Sequence, residues 1–292
     1  MSSDNKLLFI AMILLAMTLI PLGDTAGKLL MQQGVTPIYV AWSRFVIGAL
    51  CLLPFSRLQL SELPHFLNWR LLIRAALFIA AVSSILTAVK TESIANVFGA
   101  FFIGPILSYF IAAIFLKESI TLARSILLFI GFAGALLVIK PGFGMSTGMA
   151  YASLAGVFYG FFLVTNRWLA GTYRPRLILI STLVIGSFVL APFGVKEMPV
   201  LNMNLSLLIL LSSLSSSIGN LLIIEASRQL PASVIAPFVY TQLVAATFFG
   251  VVIFNTWPDQ LSLIGLITLI IAGMSSFLIA NREKKQLLKD SA

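Results

Sequence analysis

Ten long apolar stretches alternate with short polar breaks along this chain. They run approximately 7–31, 38–56, 70–89, 93–115, 121–139, 147–167, 177–194, 205–226, 232–254 and 260–280. Each is near the roughly 20 residues that a helix needs to cross a bilayer core. The runs are too long for barrel strands and lack strict alternation. A helix also satisfies its own backbone hydrogen bonds, which a lone span in lipid must do. The pattern predicts an all-α polytopic membrane protein with ten transmembrane helices. Lys90-Thr91-Glu92 separates spans three and four, and Lys140-Pro141-Gly142 starts the link between five and six. Lys6 followed by an apolar run from Leu7 to Ile20 has the order of a signal peptide. Reading it as the first span preserves the repeat described below.

Composition sharpens this picture. Of 292 residues, 59% are apolar and 10% charged, and the mean hydropathy is +1.04. An ordinary soluble domain is about 45–50% apolar and about 25% charged. A soluble enzyme, a disordered chain and a disulfide-stapled module are excluded. Cys51, the single cysteine, has no partner for an internal disulfide. With the N-terminus placed in the cytoplasm, fourteen Lys and Arg residues lie at inner span ends, Arg70 and Arg74 among them. Four lie outside: Lys28, Lys90, Lys140 and Lys196. That asymmetry predicts an inner (cytoplasmic) membrane protein with both termini in the cytoplasm. The net charge of +9 is therefore topological and implies no nucleic-acid partner.

Residues 95–118 and 232–255 share a grammar: a small-polar start, a Pro or Gly, an apolar run and a polar stop. Sliding the chain along itself by nearly the same amount also brings Gly134 near Gly273, Lys28 near Asn166 and Ser83 near Asn220. Each half then holds five spans, 1–140 and 141–292. Five is odd, so the second half enters the membrane from the opposite side. The expectation is two inverted five-helix repeats, an arrangement found in many secondary transporters.

Charged groups at membrane depth need a partner or a wet cavity. Only Asp24 and Glu225 are acids well within spans. Asp24 and Lys28 share a helical face at i,i+4. Asp24 lies roughly 27 Å along its helix from Lys6, and Arg44 about 10 Å from the outer start of span two. These three charges meet at one level. Two readings fit: a structural ion pair with Lys28 snorkelling outward, or a binding rim for a zwitterion or anion with Asp24 as a proton site. Ser213, Ser217 and Asn220 form a polar stripe on span eight, matched by Ser83 on span three; tight packing and cavity lining both fit. Glu225 and Arg228 suit an i,i+3 pair or gate near the cytoplasmic surface, with a proton relay as the other reading. Tyr240 and Gln242 follow Pro237 in span nine, and Pro105 plays a similar part in span four. Asn96 and Tyr159 are weaker cavity candidates, and Trp42 suits an interfacial belt. His65 is the only histidine. No HExxH, cysteine cluster or Walker loop occurs, so no catalytic residue, metal site or cofactor is expected.

The chain resembles the drug/metabolite transporter superfamily, in its ten-helix form with two EamA-like repeats. Ala236-Pro237-Phe238-Val239-Tyr240, the run from Phe254 to Asp259, Leu116-Lys117-Glu118 and Gly131-Phe132-Ala133-Gly134 carry the likeness. Asn255-Thr256 stands where many relatives have a Glu shortly before the Pro-Asp. The resemblance implies a carrier for a small polar or amphipathic metabolite. Export of an amino acid or related compound is the first expectation; uptake of a nucleoside-like metabolite such as S-adenosylmethionine is the second. A passive channel and a membrane enzyme are the rivals from other classes. The expected binding set is Asp24, Lys28, Arg44, Ser83, Asn220, Tyr240 and Gln242, with Asp24 and Glu225 for gating or coupling. Spans four and nine are expected to move beside the cavity. Protons are the candidate coupling ion, and spans five and ten the scaffold or homodimer surface.

Overall fold

Local signals start and stop the helices where the polar breaks lie. The computed structural model describes residues 3–115, 122–140, 145–169, 172–229 and 240–290, and no strand occurs among them. The helices are α1 (Ser3–Gln32), α2 (Pro37–Leu52), α3 (Trp69–Thr91), α4 (Ile94–Phe101), α5 (Ile103–Phe115), α6 (Leu122–Ile139), α7 (Thr147–Leu169), α8 (Pro175–Gly194), α9 (Met203–Gln229), α10 (Thr241–Phe254) and α11 (Gln260–Asp290). A 3-10 stretch, Leu60–Leu67, precedes α3. Thr36, Asn68 and Ser93 cap α2, α3 and α4 with side-chain oxygens, satisfying amides that an N-terminus leaves unpaired. Pro37 and Pro175 open α2 and α8, where a missing N–H costs nothing. Asn255 closes α10 in the left-handed region at φ 53°.

Six helical segments among the described residues are long and apolar enough to cross a membrane, and four apolar helices are shorter. Side chains such as Phe129, Phe188 and Ile271 point outward and are mostly exposed, as lipid-facing residues are. The stretch expected as one fourth span is broken into α4 and α5. The interruption is the single residue Phe102, and Pro105 has no N–H to continue the ladder.

The bundle is held by pairs distant in sequence. α1 packs along α9, α3 along α7, α2 along α8 and α6 along α11; α4 and α5 lean on α7, and α10 on α1 and α4. α6 and α11 touch through backbone. A Cβ on Gly134 or Gly265 would fall 2.9 or 2.5 Å from the other's carbonyl oxygen. Small residues permit this approach, and dispersion between close-packed helices replaces the hydrophobic drive that lipid lacks.

Polar contacts fasten the two ends of the bundle. At one end Arg174 grips both carboxylate oxygens of Glu62 at 2.8 and 2.5 Å, and Arg176 reaches the Phe55 carbonyl at 3.1 Å. This ties the α2–α3 connection to the start of α8. Hydrogen bonds from Arg174, then from the Gln59 amide, hold the Glu62 carboxyl below its usual range. At the other end Lys140 after α6 meets Asp259 before α11 at 2.7 Å, and Asn204 donates to Gln33 at 3.3 Å. The Lys140 hydrogen bond, helped by Ser262, pulls the Asp259 carboxyl down to about 2.

Candidate functional site

The centre of the bundle is organised by two buried arginines. Arg44 lies seven residues inside α2, counted from the Gln33 end. Its three guanidinium nitrogens all donate: Nη1 to Asp24 Oδ1 at 2.5 Å, Nη2 to the Gly23 carbonyl at 2.6 Å, and Nε to Ser212 Oγ at 2.9 Å. Ser212 also donates to the Gly23 carbonyl at 2.9 Å. Asp24 and Arg44 are 3% and 5% exposed. One side chain on α2 thus joins α1 and α9, in charge-assisted bonds that are roughly twice as strong as neutral ones.

Arg74 lies five residues inside α3, counted from the Glu62 end, and is 4% exposed. It donates to the hydroxyl of Thr182 and, at 3.2 Å, to the Ile178 carbonyl, both on α8. Its guanidinium also sits 4.6 Å from the Phe162 ring of α7, in range for a cation–π contact. Charge counting along the sequence places Arg74 among the inner boundary charges. The fold buries it instead, because α3 begins at Trp69 and carries Arg74 more than a turn into the bundle.

Beside Arg44, and one helical turn from Arg74 at Phe78, lies a small cavity of about 20 Å³, lined by Arg44, Phe45, Phe78, Val82, Leu179, Leu183, Ser216, Ser217 and Asn220. That is room for about one water. Three pairs of lining residues, Phe45 with Leu183, Phe78 with Ser216 and Val82 with Asn220, share one and the same sequence offset. A run of aromatic rings leads away from it. Phe45 meets Phe78 at 6.1 Å, Phe78 meets Phe162 at 4.8 Å, Phe162 meets Tyr159 at 5.6 Å and Tyr159 meets Phe101 at 4.7 Å.

The expected site residues divide three ways. Arg44 and Asn220 reach the cavity; the Asn220 amide donates to the Ser216 carbonyl at 2.8 Å. Asp24 stands behind Arg44 as its counter-ion. Lys28 does not pair with Asp24. It donates to the Glu92 carbonyl and lies 5.2 Å from the Phe254 ring, joining α1 to the α3–α4 turn. Ser83 and Asn96 are beside the core, each with a buried side-chain oxygen that has no hydrogen-bond partner among the described residues. Tyr240 stacks on Phe102 at 5.0 Å and presses on α11, where a Cβ at Gly273 would collide with the ring. Gln242 is buried with its amide 3.1 Å from the Met17 sulfur. Trp42 joins α2 to α8: its indole N–H donates to the Ser187 carbonyl at 3.0 Å and its ring covers Gly194. Glu225 lies part-buried near the end of α9. The expected Arg228 contact, Pro237 and the motif residues 116–118 and 236–239 fall outside the described residues or side chains. Among the described residues no three His, Cys, Asp or Glu side chains gather as a metal site.

Arg74, Thr182, Phe78 and Phe162 are absent from the set that the sequence nominates. The signal available was the offset between the halves, which sets Arg74 against Ser212 and Arg44 against Thr182.

Comparison with known proteins gives the same picture from another direction. The model of the EamA-like transporter family matches residues 7–140 and again 146–279. An S-adenosylmethionine uptake transporter of Rickettsia bellii (strain RML369-C) is 25% identical over 257 residues, covering 86% of both chains. Its namesake in Rickettsia conorii (strain ATCC VR-613 / Malish 7) is 24% identical, over 84% of this chain and 83% of its own. An uncharacterized transporter of Helicobacter pylori (strain ATCC 700392 / 26695) is 25% identical over 58% of this chain and 60% of its own. A solved crystal structure superposes at a TM-score of 0.65, covering 97% of this chain and 99% of that one at 17% identity, a likeness of fold.

Proposed function

The chain belongs to the EamA-like transporter family, and on that premise we propose a secondary carrier for a small polar or amphipathic metabolite of the amino-acid kind. It works by alternating access in the cytoplasmic membrane. The reading takes ten spans in two inverted repeats, 1–140 and 141–292, with both termini cytoplasmic. The observation that carries it is the cavity lined by residue pairs at one constant offset. Such a lining is what two halves related by a pseudo-two-fold axis place around a shared centre. The helix pairs support it too. Exchanging the halves turns the α1–α9 contact into α7–α3 and α2–α9 into α8–α3, while α2–α8 and α6–α11 return to themselves.

The cargo's carboxylate and ammonium suit a site with Arg44, Asp24, Asn220 and Ser83 around it, and Tyr240, Gln242 and Lys28 hold the surrounding helices. Asp24 and Glu225 are the acids placed to carry a coupling proton. A homodimer through α6 and α11 belongs to the same reading.

S-adenosylmethionine uptake is the favoured alternative to amino-acid export. Relatives spanning most of the chain carry that name, and a run of aromatic faces suits a sulfonium cation. Proteoliposome counterflow separates these readings. Preloaded S-adenosylmethionine should drive uptake of its labelled form while amino acids do not, or the reverse. Non-saturable flux without exchange would replace the carrier with a channel.

A further inference from the structure

The two arginine contacts are one contact seen from each half. Arg44 on α2 donates to Ser212 on α9 at 2.9 Å. Arg74 on α3 donates to Thr182 on α8. The offset that separates the paired cavity residues also carries Arg44 onto Thr182 and Arg74 onto Ser212. The third members obey the same spacing. Asp24 on α1 holds Arg44 at 2.5 Å. Its mate by that offset is Phe162 on α7, which holds Arg74 at 4.6 Å. Each node therefore unites three helices: α2 with α1 and α9, or α8 with α7 and α3. Exchanging the halves converts one trio into the other.

We propose that these nodes are the two gates of the carrier, Arg44 closing the cavity toward the Gln33 end and Arg74 toward the Glu62 end. The inference rests on the alternating-access reading. A carrier must open one end while the other stays shut. Moving α2 off α1 and α9 breaks the Arg44 node and leaves the Arg74 node whole; moving α8 off α3 parts Arg74 from Thr182 and leaves the Arg44 node whole. Both nodes are formed here, and the cavity holds about one water, which is the occluded state of such a cycle. Among the described contacts the nodes differ in chemistry: a carboxylate holds Arg44, and a neutral ring lies against Arg74.

Accessibility of the cavity tests this. In a Cys51→Ser background, Ser216→Cys places one thiol in the lining. A membrane-impermeant maleimide is applied from each face, to right-side-out and inverted vesicles. Arg44→Gln should raise the labelling rate several-fold from one face, and Arg74→Gln from the opposite face. Increases from the same face, or none in folded protein, overturn the gates. Where an arginine variant fails to fold, Ser212→Ala and Thr182→Val loosen the same nodes with both arginines kept, and the same opposition of faces is required. Counterflow by the unmodified protein is measured in parallel. Intact counterflow with unsided labelling rejects the gates and keeps the carrier. Sided labelling without saturable exchange keeps the gates and rejects the carrier.

Discussion

Arg44 lines the cavity, Arg74 lies one helical turn before the lining residue Phe78, and each donates to a hydroxyl on a distant helix. Their third partners differ: a carboxylate at 2.5 Å for Arg44 and a phenyl ring at 4.6 Å for Arg74. The hydroxyl contacts match, and the described third contacts do not. Removing one member of a buried ion pair costs about 3–5 kcal/mol, because the survivor is left charged and dry. A cation–π contact is worth about 0.5–2 kcal/mol. Positions one constant offset apart can thus share a hydroxyl contact and differ in the strength of a third one.

The sharpest way to break this comparison is Asp24→Leu. It should lower stability by about 3–5 kcal/mol, read as the melting temperature of detergent-solubilised protein. Adding Arg44→Met should recover most of the loss. A single change no worse than its counterpart at Phe162 would mean the two nodes are equally strong. Phe162→Leu keeps an apolar side chain and loses the ring, and should cost about 1–2 kcal/mol. Ser212→Ala and Thr182→Val should each cost about 1 kcal/mol, the usual net worth of a hydrogen bond. A large inequality between those two would deny that the hydroxyls are equivalent.

The smallest effect comes from the latches at the two ends, which set a surface baseline for the nodes. Glu62 and Asp259 both titrate lower when folded, so their bonds help fully above the ordinary carboxylate pKa of about 4. The Asp259 contribution fades as pH falls from there toward about 2. Lys140 and Asp259 are 34% and 48% exposed, and such pairs are worth about 0–1 kcal/mol. Melting curves from pH 7 to pH 2 should show a small acid loss that Asp259→Asn removes and Phe162→Leu leaves in place.

Spans and helix ends are legible because apolar runs and caps are local signals. The meeting of Asp24 with Arg44 is legible too, since rise per residue places both at one depth. Helical spacing alone gives Lys28 the wrong partner: Arg44 holds Asp24, and the Glu92 carbonyl is within reach of Lys28. Arg74 escapes because its partners Thr182 and Phe162 lie on two other helices in the opposite half of the chain. Four residues earlier, Arg70 stacks over Trp168 at 4.9 Å and is the boundary charge that the sequence pattern makes of Arg74. The break in the fourth span is announced by Pro105, but the place where α4 ends follows from packing against α7 and α10.

The one-water cavity has an electrical consequence. Each elementary charge that crosses a membrane releases about 2.3 kcal/mol per 100 mV, so a bilayer constantly tests its proteins for leaks. Protons hop along chains of water, and a space of about 20 Å³ holds no chain. With both arginines engaged, Asp24 neutralises Arg44 and the Arg74 guanidinium is held by Thr182 and Phe162, so these buried charges are partnered by protein and need no string of waters. A cavity of that size offers protons no path of its own.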